Sequence, residues 1–379
     1  MIYFDNSSTT KPLQEVAESF QTVSEQYYGN TSSAHQFGLD AEKLLRKSSQ
    51  QAGQLLGVGE DEIIFTSGGT EGNNLAIKGV ALAYQNRGKH VITTAIEHPS
   101  VLESVRSLEA LGFEVTVLPV GESGVLDVDA VSDALREDTI LVSVMHVNNE
   151  LGTIQPIKAI GQLLKNRAHT FFHVDMVQSF GKIDLSLNDC SVDLATISGH
   201  KIHGIKGTGL LFARKGIRLF PLFHGGGQQN DRRSGTENLG GIVSLVKAMR
   251  VMTEQKMHHP DHFRNLNHLM RIELESMDHV IINTMNDQAD HILNFSIPHF
   301  KPEVVLHALE KRNIFVSTKS ACASKKEEES PVLKAIGLPR NRTTSSIRVS
   351  FSYQNTEGEV ELFTRALKKV IQELNKVMG

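Results

Sequence analysis

The sequence of 379 residues contains no tryptophan and only two cysteines, Cys190 and Cys322. Two cysteines are too few for a disulfide framework or for a cysteine-rich metal site. The 17 histidines are scattered along the chain, and no pair at helical spacing is accompanied by the further ligands that a metal centre needs. We therefore expect no bound metal, and we expect each cysteine to be either a small buried hydrophobe or a reactive thiol.

Long apolar runs are also missing, since no uninterrupted stretch approaches the roughly 20 residues needed to cross a bilayer. The first residues, Met1 to Asp5, lack the basic and apolar regions of a signal peptide. The formal net charge is -4, with both signs interspersed, which gives no general attraction for nucleic acid or membranes. We therefore expect a cytoplasmic protein that binds neither of them directly.

Seven short apolar runs, most of them separated by helical patterns, fill the chain up to about residue 213. This alternation predicts a largely parallel sheet covered by helices on both faces. A long helical stretch, 239–277, follows, and from residue 280 onward the strands and helices alternate differently. The chain is thus predicted to be an α/β protein, with a large domain at 13–255 and a smaller α+β domain formed by 1–12 and 256–379.

The stretch Ser198-Gly199-His200-Lys201 follows the apolar run 194–197 and enters a glycine-rich turn. A lysine in this position places its amine at the end of a sheet, where it can bond to the aldehyde of a cofactor. Ser198 and His200 flank a glycine, so both can face an anion beside that amine. For so short a motif standing alone, a solvated surface turn is the alternative.

The run that ends in His173-Val174-Asp175 places a carboxylate at the end of another strand. An aspartate in that position keeps the ring nitrogen of pyridoxal phosphate (PLP) protonated, which makes the ring an electron sink. Because ligands of parallel sheets bind at the carboxyl ends of the strands, Asp175 and Lys201 are expected to face one site. This pair indicates PLP as the cofactor.

Three further strand ends carry polar groups that suit the same site. The turn Ser67-Gly68-Gly69-Thr70 presents backbone N–H groups and a hydroxyl to an anion at the start of a helix, although an ordinary capped turn has the same pattern. His98 can stack on a planar ring or simply cap its turn. Asn149 can donate to a ring hydroxyl or a substrate carboxylate, or belong only to its turn.

The smaller domain carries two candidate groups, Cys322 and Arg348. Cys322 lies among small and charged residues that cannot bury themselves, and neighbouring lysines favour its thiolate. Cys190 lacks such cations and is expected to be structural. The planar guanidinium of Arg348 is suited to binding a substrate carboxylate through paired hydrogen bonds. The alternative is that Arg348 is an arginine on the surface of a strand without such a role.

Eight motifs, in order along nearly the whole chain, resemble those of the class V, fold type I PLP enzymes and, among them, the long-loop group of NifS/IscS-like cysteine desulfurases. The motifs are Ser67-Gly68-Gly69-Thr70-Glu71, Glu97-His98, Asn148-Asn149-Glu150, His173-Val174-Asp175 with Gln178, Ser198-Gly199-His200-Lys201, Arg233-Ser234-Gly235-Thr236, Ser320-Ala321-Cys322 and Ser346-Ile347-Arg348. The resemblance implies the fold type I architecture of PLP-dependent transferases, with a mostly parallel seven-stranded sheet in the large domain.

The resemblance also implies which residues hold the cofactor: Gly69, Thr70, His98, Asn149, Asp175, Gln178, Ser198, His200 and Lys201, with Thr236 contributed across a homodimer interface. Lys201 bonds to the cofactor and His98 stacks on its ring. Asp175 lies at the ring nitrogen and Gln178 at the ring oxygen. The glycine turn, Ser198, His200 and Thr236 hold the phosphate, while Asn149 and Arg348 lie near the substrate carboxylate.

The implied reaction converts L-cysteine to L-alanine and leaves the sulfur on Cys322 as a persulfide. Lys201, helped by His98, moves the α-proton of the substrate. The implied sulfur acceptor is an iron-sulfur scaffold or a tRNA-thiolating enzyme. The chain ends at Gly379 without the extension that some relatives use to reach a scaffold, and our hypothesis is therefore a tRNA-thiolating acceptor.

Two alternatives stay open on the sequence alone. One is a PLP enzyme without a persulfide step, such as an aminotransferase or a selenocysteine lyase, in which Cys322 is incidental. The other is a non-catalytic scaffold that binds partners through the charged run 325–329.

Overall fold

The structure is a computed structural model that describes residues 1–318 and 329–378. The strands within these ranges are β1 (Ile2–Tyr3), β2 (Ile63–Thr66), β3 (His90–Thr94), β4 (Glu114–Leu118), β5 (Thr139–Met145), β6 (Phe171–Asp175), β7 (Leu194–Ser198), β8 (Gly209–Ala213), β9 (Ile281–Ile282), β10 (Ile292–Ser296), β11 (Ile314–Phe315) and β12 (Ser346–Ser350). Cys322, the predicted sulfur carrier, lies outside the described residues.

The helices are α1 (Gln14–Gln26), α2 (Gln36–Leu56), α3 (Gly69–Tyr84), α4 (Pro99–Glu109), α5 (Val128–Ala134), α6 (Ile157–Leu164), α7 (Leu239–His258), α8 (His262–Glu275), α9 (Pro302–Glu310), α10 (Pro331–Ala335), α11 (Arg340–Thr343) and α12 (Glu357–Met378). The helical stretch predicted at 239–277 is two helices, α7 and α8. Pro260 lies between them and has no N–H with which to continue the first. Within the described ranges, no helix combines the length and apolar character that a membrane crossing requires.

Seven strands form one sheet in the order β2-β8-β7-β6-β5-β3-β4. The pairs within β7-β6-β5-β3-β4 are parallel, while β8 runs antiparallel to both β2 and β7. The mostly parallel seven-stranded sheet that we predicted is confirmed. The carboxyl ends of β3, β5, β6 and β7 therefore meet along one edge, where a ligand site is expected.

The strands of this sheet are apolar on both faces because both faces are covered. Ile64, Val91 and Leu141 pack into a hydrophobic cluster on one face, whereas the next residues along each strand, Phe65, Ile92 and Val142, pack into another. Successive side chains of a strand point to opposite faces, so continuous apolar runs are what a sheet with two covered faces requires.

A separate cluster of buried side chains forms around the strands near the C-terminus. The antiparallel sheet β12-β10-β9 contributes Phe295 and Val349, and α12 contributes Phe363. Phe4 of the N-terminal segment contacts Phe363 edge-on at 5.7 Å between ring centroids, and β1 pairs in parallel with β11. The N-terminal segment thus packs against this C-terminal cluster, while the exact domain boundaries stay a prediction.

Candidate active site

A cavity of about 580 Å³ opens at the carboxyl ends of the parallel strands. Most of the side chains that the sequence predicted for one site line it: Gly69, Thr70, His98, Asn149, Asp175, Gln178, Ser198, His200, Lys201 and Arg348. They arrive from five strand ends and from β12, which belongs to the other sheet. Two predicted residues are not among them, because Thr236 lies elsewhere and Cys322 is outside the described residues.

The glycine turn between β2 and α3 leaves room for an anion. Gly68 has a φ of 153°, a conformation that favours glycine. A Cβ on Gly69 would lie 3.0 Å from Val177 Cγ2 and 3.5 Å from Ser198 Cβ. Ser198 Oγ is buried here without a hydrogen-bond partner among residues 1–318 and 329–378. The first N–H groups of α3 and this hydroxyl therefore form a cradle with unused donors.

The amine of Lys201 is held at the cavity wall by hydrogen bonds to the N-terminal segment. Lys201 Nζ donates to the carbonyl of Ser8 at 2.7 Å and also to that of Ser7. Gln178 Nε2 donates to the same Ser7 carbonyl at 3.0 Å, and Gln178 Oε1 has no partner within the described part of the chain. The segment 7–9 thus forms one wall of the cavity, although it precedes Lys201 by nearly 200 positions.

Asp175 and His98 are joined by a chain of hydrogen bonds. Val177 N donates to Asp175 Oδ1 at 2.9 Å, and Asn73 Nδ2 donates to Asp175 Oδ2 at 2.8 Å. The same nitrogen lies 2.9 Å from Ser100 Oγ, which lies 2.8 Å from His98 Nδ1. Both ends of this chain line the cavity, so the orientation of each is tied to that of the other.

Burial keeps several groups beside the cavity uncharged. It lowers the pKa of His98, with Lys201 acting in the same direction and Asp175 against it. It also lowers the pKa of His200 to about 4. Burial raises the pKa of Glu97 to about 8, although Met145 N and Thr94 Oγ1 donate to this carboxyl. At neutral pH these groups act as hydrogen-bonding groups and not as charges.

Arg348 reaches the cavity from β12 and is almost fully buried. It donates to the Asn149 carbonyl at 2.7 Å, to Ser8 Oγ at 2.7 Å and to Asp5 Oδ1 at 3.0 Å. Its Nε has no partner among the residues that the structure describes. The guanidinium therefore joins the two sheets, and the three hydrogen bonds use three of its five N–H donors.

The loop before α7 leads away from the cavity. Thr236 lines a separate depression of about 240 Å³ together with Tyr28 and Asn30. Arg233, three residues earlier, donates to Glu71 Oε1 at 2.8 Å, and Ser67 N donates to Glu71 Oε2 at 2.8 Å. Burial opposes ionisation of Glu71, but these hydrogen bonds outweigh it and lower the pKa of the carboxyl. The loop is thus fastened to the glycine turn while Thr236 faces elsewhere.

The site also contains residues for which the sequence predicts no role, namely Asn73, Ser100 and the segment 7–9. Asn73 and Ser100 each lie two residues beyond a motif, after Glu71 and His98, and only the fold shows that they face Asp175 and His98. One sequence signal points to Ser100: it is the second helical residue after His98, where a free backbone N–H is expected. Segment 7–9 carries only a turn composition.

The donor set suits PLP. The cradle with its orphaned Ser198 hydroxyl suits a phosphate. Asp175 suits a protonated ring nitrogen, and Lys201 suits an aldehyde carbon. His98, at the edge of the same cavity, offers a planar ring for stacking.

Comparisons with known proteins agree along the whole chain. Residues 2–363 match the family described as aminotransferase class-V. The chain is 43% identical to a NifS/IcsS protein homolog of Lactobacillus delbrueckii subsp. bulgaricus, covering 100% of this chain and 99% of the relative. It is 38% identical to the cysteine desulfurase IscS of Dictyoglomus turgidum, covering 99% of this chain and 96% of the relative.

Solved structures agree with these relatives. A NifS-like protein superposes with a TM-score of 0.92 at 36% identity, covering 98% of this chain and 99% of that one. A structure described as SspA in complex with cysteine superposes with a TM-score of 0.82 at 32% identity, covering 94% of this chain and 100% of that one.

Proposed function

The chain belongs to the aminotransferase class-V family of PLP-dependent enzymes and is a cysteine desulfurase, and from this premise we propose how its own residues carry out the reaction. The observation that carries the proposal is the meeting of Lys201, Asp175 and His98 at one cavity beside an anion cradle. An amine, a carboxylate and a stacking imidazole are the groups that PLP chemistry on an amino acid needs.

In this proposal, Gly69, Thr70, Ser198 and His200 hold the phosphate, Lys201 holds the cofactor covalently, and Gln178 faces the ring oxygen. Asp175 keeps the ring nitrogen protonated, and Val177 N and Asn73 fix its orientation. When bound, PLP supplies an electron sink that acidifies the α-carbon of the substrate. Lys201 is the base placed to move that proton.

Arg348 and Asn149 bind the carboxylate of L-cysteine. Support comes from the place of both residues at the cavity wall. The relative described as a complex with cysteine is consistent with this substrate. Because a guanidinium binds a carboxylate through paired hydrogen bonds, Arg348 also orients the substrate.

Cys322 then accepts the sulfur. Its thiolate forms a bond to the sulfur of the substrate while the carbon–sulfur bond breaks. The electron pair left on the β-carbon takes up a proton and gives alanine. L-Cysteine and one thiol become L-alanine and one persulfide, so no oxidant is consumed.

Mass spectrometry after incubation with L-cysteine tests this proposal directly. We expect one additional sulfur on the peptide that contains Cys322, and alanine in solution. Cys322→Ser should form no persulfide while still binding PLP, and Lys201→Ala should release no alanine. Alanine production by Cys322→Ser at the normal rate would contradict the proposal.

We further propose that the enzyme is a homodimer in which Thr236 completes the phosphate site of the partner subunit. Support comes from the position of Thr236 outside the cavity of its own chain. Beside it, Tyr28 and Phe37 form an exposed aromatic pair with ring centroids 5.6 Å apart, a surface that a dimer interface would bury.

Mixing two inactive variants tests this arrangement. In a mixed dimer of Lys201→Ala and Thr236→Ala chains, one site keeps both Lys201 and a native Thr236 only if the threonine acts across the interface. We expect recovery of activity on mixing at limiting PLP. If Thr236 serves its own chain, both sites stay defective and no activity returns.

The persulfide passes to an acceptor protein, either an iron-sulfur scaffold or a tRNA-thiolating enzyme, and we place this exchange in the cytoplasm, where thiols stay reduced. Transfer of radiolabelled sulfur from the enzyme to each purified acceptor distinguishes the two. Efficient labelling of a tRNA-thiolating enzyme with none of a scaffold supports the tRNA-thiolating acceptor that we expect from the sequence. Labelling of the scaffold alone contradicts it.

A further inference from the structure

The contacts of His98 determine which of its ring nitrogens carries the proton. His98 is the residue before α4, and its Nδ1 accepts a hydrogen bond from Ser100 N at 3.1 Å. A backbone N–H can only donate, so Nδ1 must present a lone pair. In a neutral imidazole with Nδ1 unprotonated, the proton resides on Nε2.

The hydrogen bonds that start at Asp175 lead to the same assignment. Asn73 Nδ2 lies within 2.8 Å of Asp175 Oδ2 and within 2.9 Å of Ser100 Oγ. A carboxylate only accepts, so the nitrogen of the Asn73 amide must face it, and its two N–H bonds serve the two oxygens. Ser100 Oγ already accepts one hydrogen, and its own hydrogen can be directed to His98 Nδ1 at 2.8 Å.

We propose that Asn73 and Ser100 are positioning residues that hold His98 as the neutral tautomer with its proton on Nε2. The assignment rests on the geometry alone, whereas its use rests on the function proposed above. A proton on Nε2 leaves that nitrogen able to donate and unable to accept. His98 therefore supplies a hydrogen bond from Nε2, and the work of a base falls to Lys201.

The surroundings of the imidazole agree with a neutral ring. Lys201 and His200 approach it from the segment after β7, Asp175 from the end of β6, and Glu97 is its neighbour in the chain. Protonation at Nδ1 would require both donors of Ser100 to turn away. Burial of the ring lowers the pKa of His98 in the same direction.

The first test is the pH dependence of kcat/KM for L-cysteine. Ser100→Ala removes the hydroxyl donor and keeps the backbone N–H, and Asn73→Ala removes the group that directs this hydroxyl. Each change makes protonation of His98 Nδ1 easier. The midpoint of the acid limb of the pH profile should therefore move to higher pH, by about half a pH unit to one pH unit. Ser100→Thr keeps the hydroxyl and should leave the midpoint where it is.

The double variant tests whether the two residues act in series. We expect the acid limb of the Asn73→Ala, Ser100→Ala protein to shift no further than that of the larger single change, because both substitutions act on the same hydrogen bond from Ser100 Oγ to His98 Nδ1. Additive shifts, or an equal shift in Ser100→Thr, would overturn the proposal, since they indicate a general disturbance of packing.

Nitrogen NMR of the holoenzyme labelled with ¹⁵N-histidine reads the tautomer without turnover. The His98 signals are assigned by their loss in His98→Gln. We expect a proton on Nε2 and an unprotonated Nδ1, and a protonated Nδ1 would refute the assignment. If alanine is not formed from L-cysteine but Nε2 carries the proton, the proposed function fails and the assignment stands.

Discussion

On one side of the cavity, which we call the sheet side, Asp175 and His98 are linked through two neutral side chains, Asn73 and Ser100. All four residues belong to the large sheet and its helices. On the other side, Arg348 is held by an ion pair with Asp5 and by contacts that reach a different sheet. The first arrangement fixes the orientation of groups that act on the cofactor. The second fastens two parts of the chain together around the substrate.

The difference predicts how each side responds to substitution. A neutral chain of hydrogen bonds loses orientation when one member is removed, so the expected defect is in kcat. Removing one partner of a buried ion pair breaks a contact between the two parts of the chain and leaves a charge unpaired. The expected defects are therefore in substrate binding and in stability. Each of the changes below tests one side against the other.

The largest effect is expected from Asp175→Asn on the sheet side. The amide keeps the shape of the carboxylate and loses its charge, so it no longer favours a protonated ring nitrogen. We expect kcat to fall by a factor of about 100 to 1,000 with KM changed little. Steady-state alanine production measures this, with cofactor content determined in the same samples. A variant that is fully loaded with PLP and keeps most of its kcat would refute the role of Asp175.

A smaller effect, of opposite kinetic type, is expected from Arg348→Lys. Lysine keeps the positive charge but not the planar fork, so it cannot serve Asp5, the Asn149 carbonyl and a substrate carboxylate together. We expect KM for L-cysteine to rise by about 30- to 100-fold with kcat changed less than threefold.

Asp5→Asn is the matched control for this change. It removes the charge partner of Arg348 and leaves the fork intact, so it should lower the unfolding midpoint while the effect on KM stays small. If Arg348→Lys instead lowered kcat and left KM unchanged, the two sides of the cavity would not differ in the way proposed.

The sequence predicted the sheet side far better than the opposite wall. The apolar run 194–197 lies within β7 (Leu194–Ser198), because buried parallel strands are short apolar runs. Since such strands end at one edge, Asp175, Lys201 and His98 could be placed together before the fold was known. Asn73 could not be assigned a role in this way, because helical spacing does not tell which face of α3 meets the strand end.

The opposite wall depends on contacts between residues that are far apart in the chain. Arg348 and Asp5 are 343 positions apart, and no periodic pattern links them. The segment 7–9 has the composition of a turn and no apolar signal, so its contacts with Lys201 follow only from the packing of Phe4 and β1 against the C-terminal cluster. Such pairings are properties of the assembled fold.

The ion pair between Arg233 and Glu71 gives a further test on the sheet side. It holds the glycine turn in place, as the Arg348 ion pair holds the opposite wall of the cavity. Glu71→Gln removes the negative charge that pairs with Arg233. It also replaces one of the two carboxylate oxygens, of which Oε2 accepts a hydrogen bond from Ser67 N. We expect PLP affinity to weaken by about tenfold, as the loss of a charge-assisted hydrogen bond predicts, and titration of the apoenzyme with PLP measures it. Glu103→Gln, which breaks an exposed pair with Arg106, should have no effect.

The mildest change concerns Glu97, which the sheet side keeps uncharged. Its folded pKa of about 8 lies above the ordinary 4.5, so between these values the native state holds a proton that the unfolded state has lost. The contribution of Glu97 to the free energy of unfolding therefore falls as pH rises from about 5 to 8, by at most about 1.4 kcal/mol per pH unit.

Glu97→Gln has no such proton to hold. Relative to the wild type, its urea midpoint should therefore gain stability as pH rises over that range, whereas Glu103→Gln should keep the pH slope of the wild type because Glu103 is exposed. Equal slopes for the wild type and Glu97→Gln would mean that Glu97 is ionised in the native enzyme. A negative charge would then lie beside Asp175 and His98. The surroundings of the hydrogen-bond chain between them would no longer be neutral, and the contrast with the Arg348 ion pair would be lost.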